Sequence, residues 1–169
     1  MLEPFYPKYY VSSAYAIPYE RLYEGGIRGV IFDVDNTLVP HDSPADERAV
    51  ELFRRFHHMG METCLLSNNR EPRVAAFAER VGSSYLFKAG KPSVKGYEKA
   101  MELMGTSRTA TVFVGDQLFT DVFGANRAGI TSYLVKPMDP REEIQIVLKR
   151  YLEAVVLYFY RRRRRREKR

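Results

Sequence analysis

Short apolar runs alternate with longer segments of mixed polarity through most of the chain. The apolar runs predict five strands, over residues 28–34, 61–66, 85–88, 110–115 and 131–135. The segments between them carry apolar residues at helical spacing and predict four helices, over residues 44–59, 71–81, 94–104 and 121–128. Continuously apolar strands that alternate with helices are typical of a parallel sheet buried on both faces. We therefore predict an α/β, Rossmann-like domain with a parallel sheet of about five strands and helices on both faces.

The first of these helices has recognisable end signals. Ser43 suits the N-cap position, Pro44 the first helical position and Asp46 the positive end of the helix dipole. Gly60 suits the end of the helix, where a residue in the left-handed conformation closes the last turn. The sequence thus predicts a helix that begins next to Ser43 and ends at Gly60.

Composition divides the chain into four segments. Residues 1–26 are rich in tyrosine and proline and are predicted to pack on the domain as a lead-in with a short helix near its end. Residues 27–138 form the α/β domain. Residues 139–160 predict an amphipathic helix, because Asp139–Glu142 resembles a capping box and apolar residues then recur at helical spacing. Residues 161–169 form a basic tail.

The basic character of the chain is confined to this tail. The chain has 27 Lys and Arg residues against 21 Asp and Glu residues, a net charge of +6. Residues 161–169 contain eight of the basic residues and one of the acidic residues, which leaves 19 basic and 20 acidic residues elsewhere. The domain itself is therefore nearly neutral.

Cysteine usage and the N-terminal sequence indicate a compartment. Cys64 is the single cysteine and lies in an apolar run, so an internal disulfide is excluded and buried packing is expected. No basic and then apolar signal segment follows Met1, and no apolar run reaches the ~20 residues that span a bilayer. We expect a cytoplasmic protein.

The most informative residues follow the first strand of the domain. Asp33 and Asp35 lie at the end of the apolar run that begins at Val30. In an extended chain, residues two apart point to the same face, so the two carboxylates are expected to converge. Ionised carboxylates at that spacing repel each other unless a cation or a proton lies between them, and Mg²⁺ favours such hard oxygen ligands. The alternative is an ordinary polar strand end.

Three further polar segments complete a set of four. Ser67–Asn69 follows the second strand, Lys88–Pro92 the third and Gly115–Asp121 the fourth. In parallel α/β sheets, ligands bind beyond the carboxyl ends of the strands, near the point where strand order reverses. We therefore expect the four segments to meet at one rim. They supply a nucleophile, an acid or base, phosphate-binding donors, a cation and metal ligands, as phosphoryl transfer through an aspartyl-phosphate requires.

In this order and spacing, the four segments resemble the four motifs of the haloacid dehalogenase (HAD) superfamily. More narrowly, Asp33–Leu38, Lys91–Pro92 and Gly115–Val122 resemble the YqeG-type class IIIA phosphatases, a group similar to the phosphatidylglycerophosphate phosphatases. Gly124–Gly129 and the tyrosine-rich lead-in fit the same pattern. The resemblance covers about residues 5–137 and implies a HAD fold, phosphatase activity and Mg²⁺ as the cofactor.

The resemblance implies distinct roles for the two carboxylates of the first motif. Asp33 is the expected nucleophile, with its other carboxylate oxygen on Mg²⁺. Asp35 is the expected general acid, which protonates the leaving group and then deprotonates the hydrolytic water. The backbone carbonyl of Asp35 is expected to contact the metal as well. A carboxylate at this second position favours rapid breakdown of the intermediate, as in a phosphatase.

The resemblance implies that the second and third motifs bind phosphate. Ser67 and the backbone amide of Asn68 are the expected donors, although both residue types are also common at helix starts. Lys91 is expected to neutralise charge that develops on the nucleophile and the phosphate. Lys88 is the competing candidate, and Lys91 is favoured because the Lys-Pro pair matches the family motif.

The resemblance implies that the last motif completes the metal site. Asp116 is the expected second carboxylate on Mg²⁺. Asp121 is expected to hold a metal-bound water or the lysine, and the alternative is an ordinary acidic residue at a helix N-terminus. Gln117 is expected to reach a metal-bound water.

The spacing of the motifs leaves no room for a substantial cap domain. Asp35 and Ser67 are 32 residues apart, Ser67 and Lys91 are 24 apart, and predicted helices and strands fill both intervals. An uncapped site suits a phosphate on a large or membrane-borne substrate, such as a lipid phosphate. The sequence does not exclude the alternative that a second copy of the chain acts as a substitute lid.

The C-terminal segment bears on the same question. Its helix has apolar residues at Ile144, Val147, Leu148, Tyr151, Leu152, Val155 and Val156, and aromatic residues then precede six arginines in Tyr158–Arg166. Three interpretations stay open: a helix packed on the domain with a solvated tail, peripheral binding to the inner face of an anionic membrane, and nucleic-acid binding. The alternatives to a lipid phosphatase are an RNA- or ribosome-associated binding protein on a HAD fold and a nucleic-acid end phosphatase.

Overall fold

The structure is a computed structural model that describes residues 2–139 and 144–167. Its strands are β1 (Tyr9–Val11), β2 (Gly29–Phe32), β3 (Glu62–Leu66), β4 (Ser84–Leu86), β5 (Thr111–Gly115) and β6 (Thr131–Val135). Its α-helices are α1 (Tyr19–Glu24), α2 (Glu47–Met59), α3 (Glu71–Val81), α4 (Val94–Met104), α5 (Phe123–Arg127) and α6 (Ile144–Glu167). All strand pairs are parallel, and the sheet order is β1-β6-β5-β2-β3-β4. The predicted α/β fold with a parallel sheet is confirmed.

Helices cover both faces of the sheet. Because side chains alternate along each strand, neighbouring residues pack against helices on opposite faces. Phe32 packs with Phe53 and Phe56 of α2 on one face. Ile31, one residue earlier, belongs to a second buried cluster that contains Tyr97 of α4. The central strands are therefore apolar throughout, which is the pattern that the sequence shows.

The lead-in contributes a sixth strand that the sequence analysis does not predict. β1 pairs with β6, and Tyr9 lies opposite Tyr133. The two tyrosine rings stack with their centroids 4.7 Å apart. The lead-in is therefore part of the sheet edge as well as a covering segment.

The start of α2 differs from the prediction. The helix begins at Glu47 with Asp46 as its N-cap, and the Asp46 carboxylate accepts a hydrogen bond from the Ala49 amide at 2.8 Å. Ser43 is therefore not the N-cap, because an aspartate three residues later satisfies the free amides of the first turn equally well. Gly60 ends the helix in the left-handed conformation, as predicted.

The C-terminal helix departs furthest from the sequence pattern. α6 continues through the six arginines to Glu167, and the predicted capping box lies almost entirely outside the described residues. Much of the apolar stripe noted in the sequence faces solvent, since four of its residues are exposed: Leu148, Tyr151, Leu152 and Val155. The helix instead packs through Glu153, Val156 and Tyr160, because charged residues of α6 hydrogen-bond to the domain.

The topology places one rim of the sheet at the point where strand order reverses. Phe32 at the end of β2 lies opposite Val114 of β5 and Leu65 of β3. The chain runs outward through β3 and β4, then returns to build β5 and β6 on the other side. Within the described ranges every element forms part of this sheet or packs on it, so no cap domain covers the rim there. Among the helices of these ranges, none has both the length and the hydrophobicity of a membrane-spanning helix.

Candidate active site

A buried group of charges lies at the carboxyl ends of β2 and β5. The Lys91 ammonium donates hydrogen bonds to Oδ1 of Asp33 and to Oδ1 of Asp121, both at 2.7 Å. The Thr37 hydroxyl lies 3.3 Å from Oδ2 of Asp33 and 3.3 Å from Oδ1 of Asp116. Oxygens of the three aspartates lie within 4.8 Å of one another. One lysine thus shares this buried site with three carboxylates.

Burial, together with this concentration of negative charge, shifts the pKa values in the site. Burial raises the pKa of Asp33 to about 6, although Lys91 opposes the shift. Burial, with Asp33 and Asp121 as like charges, raises the pKa of Asp116 well above its ordinary value. Burial alone would lower the pKa of Lys91, but Asp121 and Asp33 outweigh it and raise that pKa. The lysine therefore stays charged, and a further cation would stabilise the carboxylates.

Asp121 supports the loop that carries Asp116. Its Oδ2 accepts hydrogen bonds from the backbone amides of Asp116 and Gln117, both at 3.1 Å, while its Oδ1 binds Lys91. It lies in a π-helical turn, Leu118–Val122, that precedes α5. A Cβ added at Gly115 would lie 2.4 Å from Oδ2 of Asp121, so only glycine fits beside this carboxylate. The geometry fits the expected contact between Asp121 and the lysine better than an acidic residue that merely begins a helix.

Asp35 lies in different surroundings from Asp33. Its Oδ1 accepts hydrogen bonds from the Asp42 amide at 2.9 Å and from Arg73 at 3.0 Å, and its Oδ2 accepts one from the Asn69 side chain at 3.2 Å. Burial alone would raise the pKa of Asp35, but Arg73 and the two other donors outweigh it and lower that pKa.

Asp33 and Asp35 line the same cavity, but their carboxylates belong to different acidic groups. The Asp35 carboxylate groups with His41 and Asp42 rather than with the Asp33, Asp116 and Asp121 cluster. The reason is that β2 ends at Phe32, so the extended alternation does not continue from Asp33 to Asp35.

The second and third predicted motifs are tied to each other. The Lys91 amide donates to Oδ1 of Asn68 at 2.8 Å, and Nδ2 of Asn68 donates to the Lys91 carbonyl at 3.3 Å. The buried Ser67 hydroxyl accepts a hydrogen bond from the Asn69 amide at 3.1 Å. Ser67 does not cap a helix, since α3 begins at Glu71 with Arg70 at its N-cap. These contacts hold the Ser67 loop against the lysine loop.

The structure separates the two candidate lysines. Lys91 is 7% exposed and reaches Asp33, whereas Lys88 lies on the surface with a left-handed backbone (φ 43°). Gln117 lies at the edge of the site, where Thr120 donates a hydrogen bond to its Oε1 at 3.2 Å.

Six of the eight predicted site residues line one open cavity of about 420 Å³. The predicted residues on its wall are Asp33, Asp35, Ser67, Asn68, Lys91 and Gln117. Asp116 and Asp121 lie behind this wall, in contact with Thr37 and Lys91. The structure therefore brings all eight residues to one rim.

Several residues of the site carry no role in the sequence analysis. Thr37 lies inside the first motif, and this position is the signal that could have placed its hydroxyl near the metal ligands. Arg73 gives no signal, because an arginine on an amphipathic helix is usually solvated. Arg150 and Glu153 are opposite charges three apart that interrupt the apolar run of residues 144–160, and this interruption is the signal that could have identified them.

Comparisons with known proteins identify the family of the chain. The chain matches the haloacid dehalogenase-like hydrolase family over residues 41–129. It is 36% identical to the probable phosphatase YqeG of Bacillus subtilis over 159 residues, which cover 93% of this chain and 92% of the relative. It is 28% identical to the chloroplastic/mitochondrial phosphatidylglycerophosphate phosphatase 1 of Arabidopsis thaliana, over 83% of this chain and 44% of the relative.

A solved structure supports the fold. An uncharacterized protein from Corynebacterium glutamicum superposes with a TM-score of 0.57 at 24% identity, over 68% of this chain and 88% of the other. The likeness concerns the arrangement of the sheet and its helices. Sequence and fold together show that the chain is an enzyme of the haloacid dehalogenase-like hydrolase family.

Proposed function

We propose that this enzyme is a Mg²⁺-dependent phosphatase that hydrolyses a phosphate monoester through an aspartyl-phosphate on Asp33. The observation that carries the proposal is the buried contact of Lys91 with Asp33 and Asp121, next to Asp116. A nucleophilic carboxylate, a fixed cation and a second carboxylate for a metal are what phosphoryl transfer needs.

The residues fit a Mg²⁺ site. Oδ2 of Asp33 and Oδ1 of Asp116 both lie beside the Thr37 hydroxyl, and Lys91 and Arg150 offset only part of the negative charge of the three buried aspartates. Carboxylate oxygens are the ligands that Mg²⁺ prefers. We assign Asp33 and Asp116 as its carboxylate ligands, with the backbone carbonyl of Asp35 as a third protein ligand. When bound, Mg²⁺ would neutralise charge on the phosphoryl oxygens.

The two carboxylates of the first motif divide the chemistry. Oδ1 of Asp33, beside Lys91, attacks phosphorus, so that an Asp33–phosphorus bond forms while the bond to the leaving alcohol breaks. Asp35 gives its proton to the departing oxygen. Water then attacks the aspartyl-phosphate and gives a proton back to Asp35, which releases inorganic phosphate and restores Asp33. Ser67 and the amide of Asn68 hold the phosphoryl oxygens throughout.

We infer a lipid phosphate, such as phosphatidylglycerophosphate, as the substrate. Two observations support this choice. The cavity is open, and none of the described elements forms a lid that would enclose a small metabolite. The Arabidopsis relative is a phosphatidylglycerophosphate phosphatase by name.

The outer face of α6 supports a membrane-borne substrate. Six large apolar side chains on this face are between 43% and 71% exposed: Leu148, Tyr151, Leu152, Val155, Tyr158 and Phe159. Their spacing places them on one side of the helix, and the same side continues into Arg162 and Arg166. An apolar stripe that ends in arginines suits a helix lying in the surface of an anionic bilayer. We therefore place the enzyme at the cytoplasmic face of a membrane.

The same stripe weighs against nucleic acid as the partner. Arginine contacts to phosphates would use residues 161–166 but would leave the exposed leucine, valine and aromatic side chains of the stripe unused. An RNA-binding protein or a nucleic-acid end phosphatase is thus the second choice. A steep dependence of RNA binding on salt concentration would favour it.

Phosphate release from two substrates tests the proposal. Phosphatidylglycerophosphate in phosphatidylglycerol vesicles and soluble p-nitrophenyl phosphate are compared with and without Mg²⁺. We expect Mg²⁺-dependent release that is faster from the vesicles. Equal rates would contradict the lipid assignment, and no release from either substrate would contradict the phosphatase.

Vesicle co-sedimentation tests the membrane surface separately. Tyr151→Ser combined with Leu152→Ser should reduce binding to phosphatidylglycerol vesicles about tenfold or more, because two exposed apolar groups are lost. Leu103→Ser is the matched control, since Leu103 is an exposed leucine on α4. Equal binding of all three proteins would contradict the role of the stripe.

A further inference from the structure

The C-terminal helix reaches into the metal side of the active site. The Arg150 guanidinium donates one hydrogen bond to Oδ2 of Asp116 and another to the Asp116 carbonyl at 2.6 Å. Glu153, one turn further along α6, accepts a hydrogen bond from the Leu118 amide at 2.8 Å. Arg150 and Glu153 also pair with each other at 2.9 Å. α6 thus holds the first residues after β5 at three points.

These contacts divide the two oxygens of Asp116 between different partners. Oδ2 faces Arg150, whereas Oδ1 faces Thr37 and, beyond it, Asp33. The Asp116 carboxylate cannot rotate without losing one of these contacts. Its position is thereby fixed with one oxygen on the side where Asp33 lies.

Apolar packing anchors the helix at the same place. Val156 of α6 is buried in a cluster with Leu118, Val122 and Leu134. The Leu118 side chain therefore packs in the same cluster as α6 while its amide binds Glu153. The contact of Arg150 with Asp116 belongs to a packed interface and not to a solvated ion pair.

We propose that Arg150 is a positioning residue that holds Asp116 for Mg²⁺, and that Glu153 fixes the adjoining backbone for the same purpose. The proposal rests on the proposed function for the metal, and it extends the active site to α6, a helix that follows the last strand of the sheet. Residues that orient a metal ligand typically change metal affinity ~10–100-fold when they are replaced.

A positioning role and a mere charge balance predict opposite results. If Arg150 only offsets the charge of Asp116, its removal leaves a more negative site, and Mg²⁺ binds more tightly. If Arg150 positions Asp116, its removal frees the carboxylate to turn, and Mg²⁺ binds more weakly. A lysine variant distinguishes the positioning role from charge balance further. Lysine keeps the positive charge, but it lacks the planar guanidinium that binds both the carboxylate and the carbonyl of Asp116.

The experiment is a calorimetric titration of Mg²⁺ into the full chain without substrate. We expect Arg150→Gln to weaken Mg²⁺ binding about tenfold and Arg150→Lys to weaken it by a smaller factor. Lys149→Gln is the matched control, since it removes the same charge from the neighbouring exposed residue of α6 and should leave the affinity unchanged. Unchanged or tighter binding in Arg150→Gln would overturn the proposal.

Amide hydrogen exchange gives a readout that does not depend on the metal. We expect Glu153→Ala to speed the exchange of the Leu118 amide, because alanine leaves it no side-chain acceptor, with Glu79→Ala on α3 as the control. If wild-type protein releases no phosphate and binds no Mg²⁺, the proposed function fails, while the Leu118 exchange still shows whether α6 fixes this backbone. If wild-type protein binds Mg²⁺ and the variants change neither readout, the proposed function stands and this inference fails. Thermal unfolding confirms that each variant is folded. If Arg150→Gln does not fold, the Mg²⁺ affinity of Arg150→Lys is the deciding measurement.

Discussion

Asp33 and Asp35 are two residues apart in the sequence but lie in contrasting surroundings. Asp33 is buried with Lys91 and two other aspartates, and burial raises its pKa to about 6. Asp35 is more exposed, at the rim, where Arg73 and two further donors outweigh burial and lower its pKa. Pairs of carboxyl groups whose environments separate their pKa values commonly have different roles in catalysis. Asp33 therefore depends on its buried neighbours and a cation to carry a charge, whereas Asp35 depends on contacts at the rim.

Replacing each carboxylate in turn tests the contrast with the largest expected effect. Asp33→Asn removes the nucleophile and should lower kcat by about a thousandfold or more. Asp35→Asn removes the proton donor but leaves the nucleophile, so a loss of about a hundredfold is expected. Steady-state kinetics with p-nitrophenyl phosphate measures both, with Glu79→Gln as an exposed carboxylate control. Equal losses in the two aspartate variants would contradict the division of roles.

Gly115→Ala disturbs the surroundings of Asp33 without changing a charge. The added Cβ would lie 2.4 Å from Oδ2 of Asp121, so this carboxylate must shift away from the amides of Asp116 and Gln117. We expect the free energy of unfolding to fall by about 2 kcal/mol, because buried hydrogen bonds are lost. Activity should fall about tenfold, because Asp121 also holds Lys91.

Urea unfolding and kinetics measure these two effects of Gly115→Ala. Gly105→Ala is the control, since Gly105 also lies at the end of a secondary-structure element but has open space around its Cβ position. It should lose stability through its left-handed backbone (φ +65°) while it keeps its activity. Full activity in Gly115→Ala would contradict the supporting role of Asp121.

Arg73→Met should move the pH profile by a smaller but informative amount. Arg73 lowers the pKa of Asp35, so its removal raises that pKa. The proton donor must be protonated to act, and activity falls as pH rises above its pKa. We therefore expect the alkaline limb of kcat/KM to move to higher pH, by about one unit.

The control for Arg73→Met lies on the same helix. Arg80 pairs with Glu47 on the surface, so Arg80→Met should leave the pH profile unchanged. An alkaline limb that stays in place, or moves to lower pH, in Arg73→Met would show that Asp35 is not the group that titrates there.

The sheet could be predicted from the sequence because its central strands are buried on both faces. Val30, Ile31 and Phe32 are each fully buried, and such continuously apolar runs are a strong signal. β1 could not be predicted, because it has only three residues, lies at the sheet edge and has one exposed residue. The N-cap of α2 was misplaced because Ser43 and Asp46 are both good caps, and only the backbone decides between them.

The residues of the candidate site could be located because they follow strands in order, but their contacts could not. Sequence spacing does not show that Asp35 turns to Arg73 while Asp33 turns to Lys91. Nor does helical periodicity show which face of α6 is buried, since Arg150 and Glu153 override the apolar stripe through hydrogen bonds to residues 116–118. Long-range polar contacts of this kind depend on tertiary structure and leave no periodic signal.

Chemical trapping of the covalent intermediate shows whether Asp33 is the nucleophile. Asp35→Asn protein is mixed with p-nitrophenyl phosphate and Mg²⁺, quenched in acid and reduced with borohydride, which converts an aspartyl-phosphate to homoserine. Mass spectrometry of the peptides should find homoserine at position 33 and an unchanged Asp116. Continued phosphate release with Asp33 never modified, or modification at another aspartate, would contradict the account.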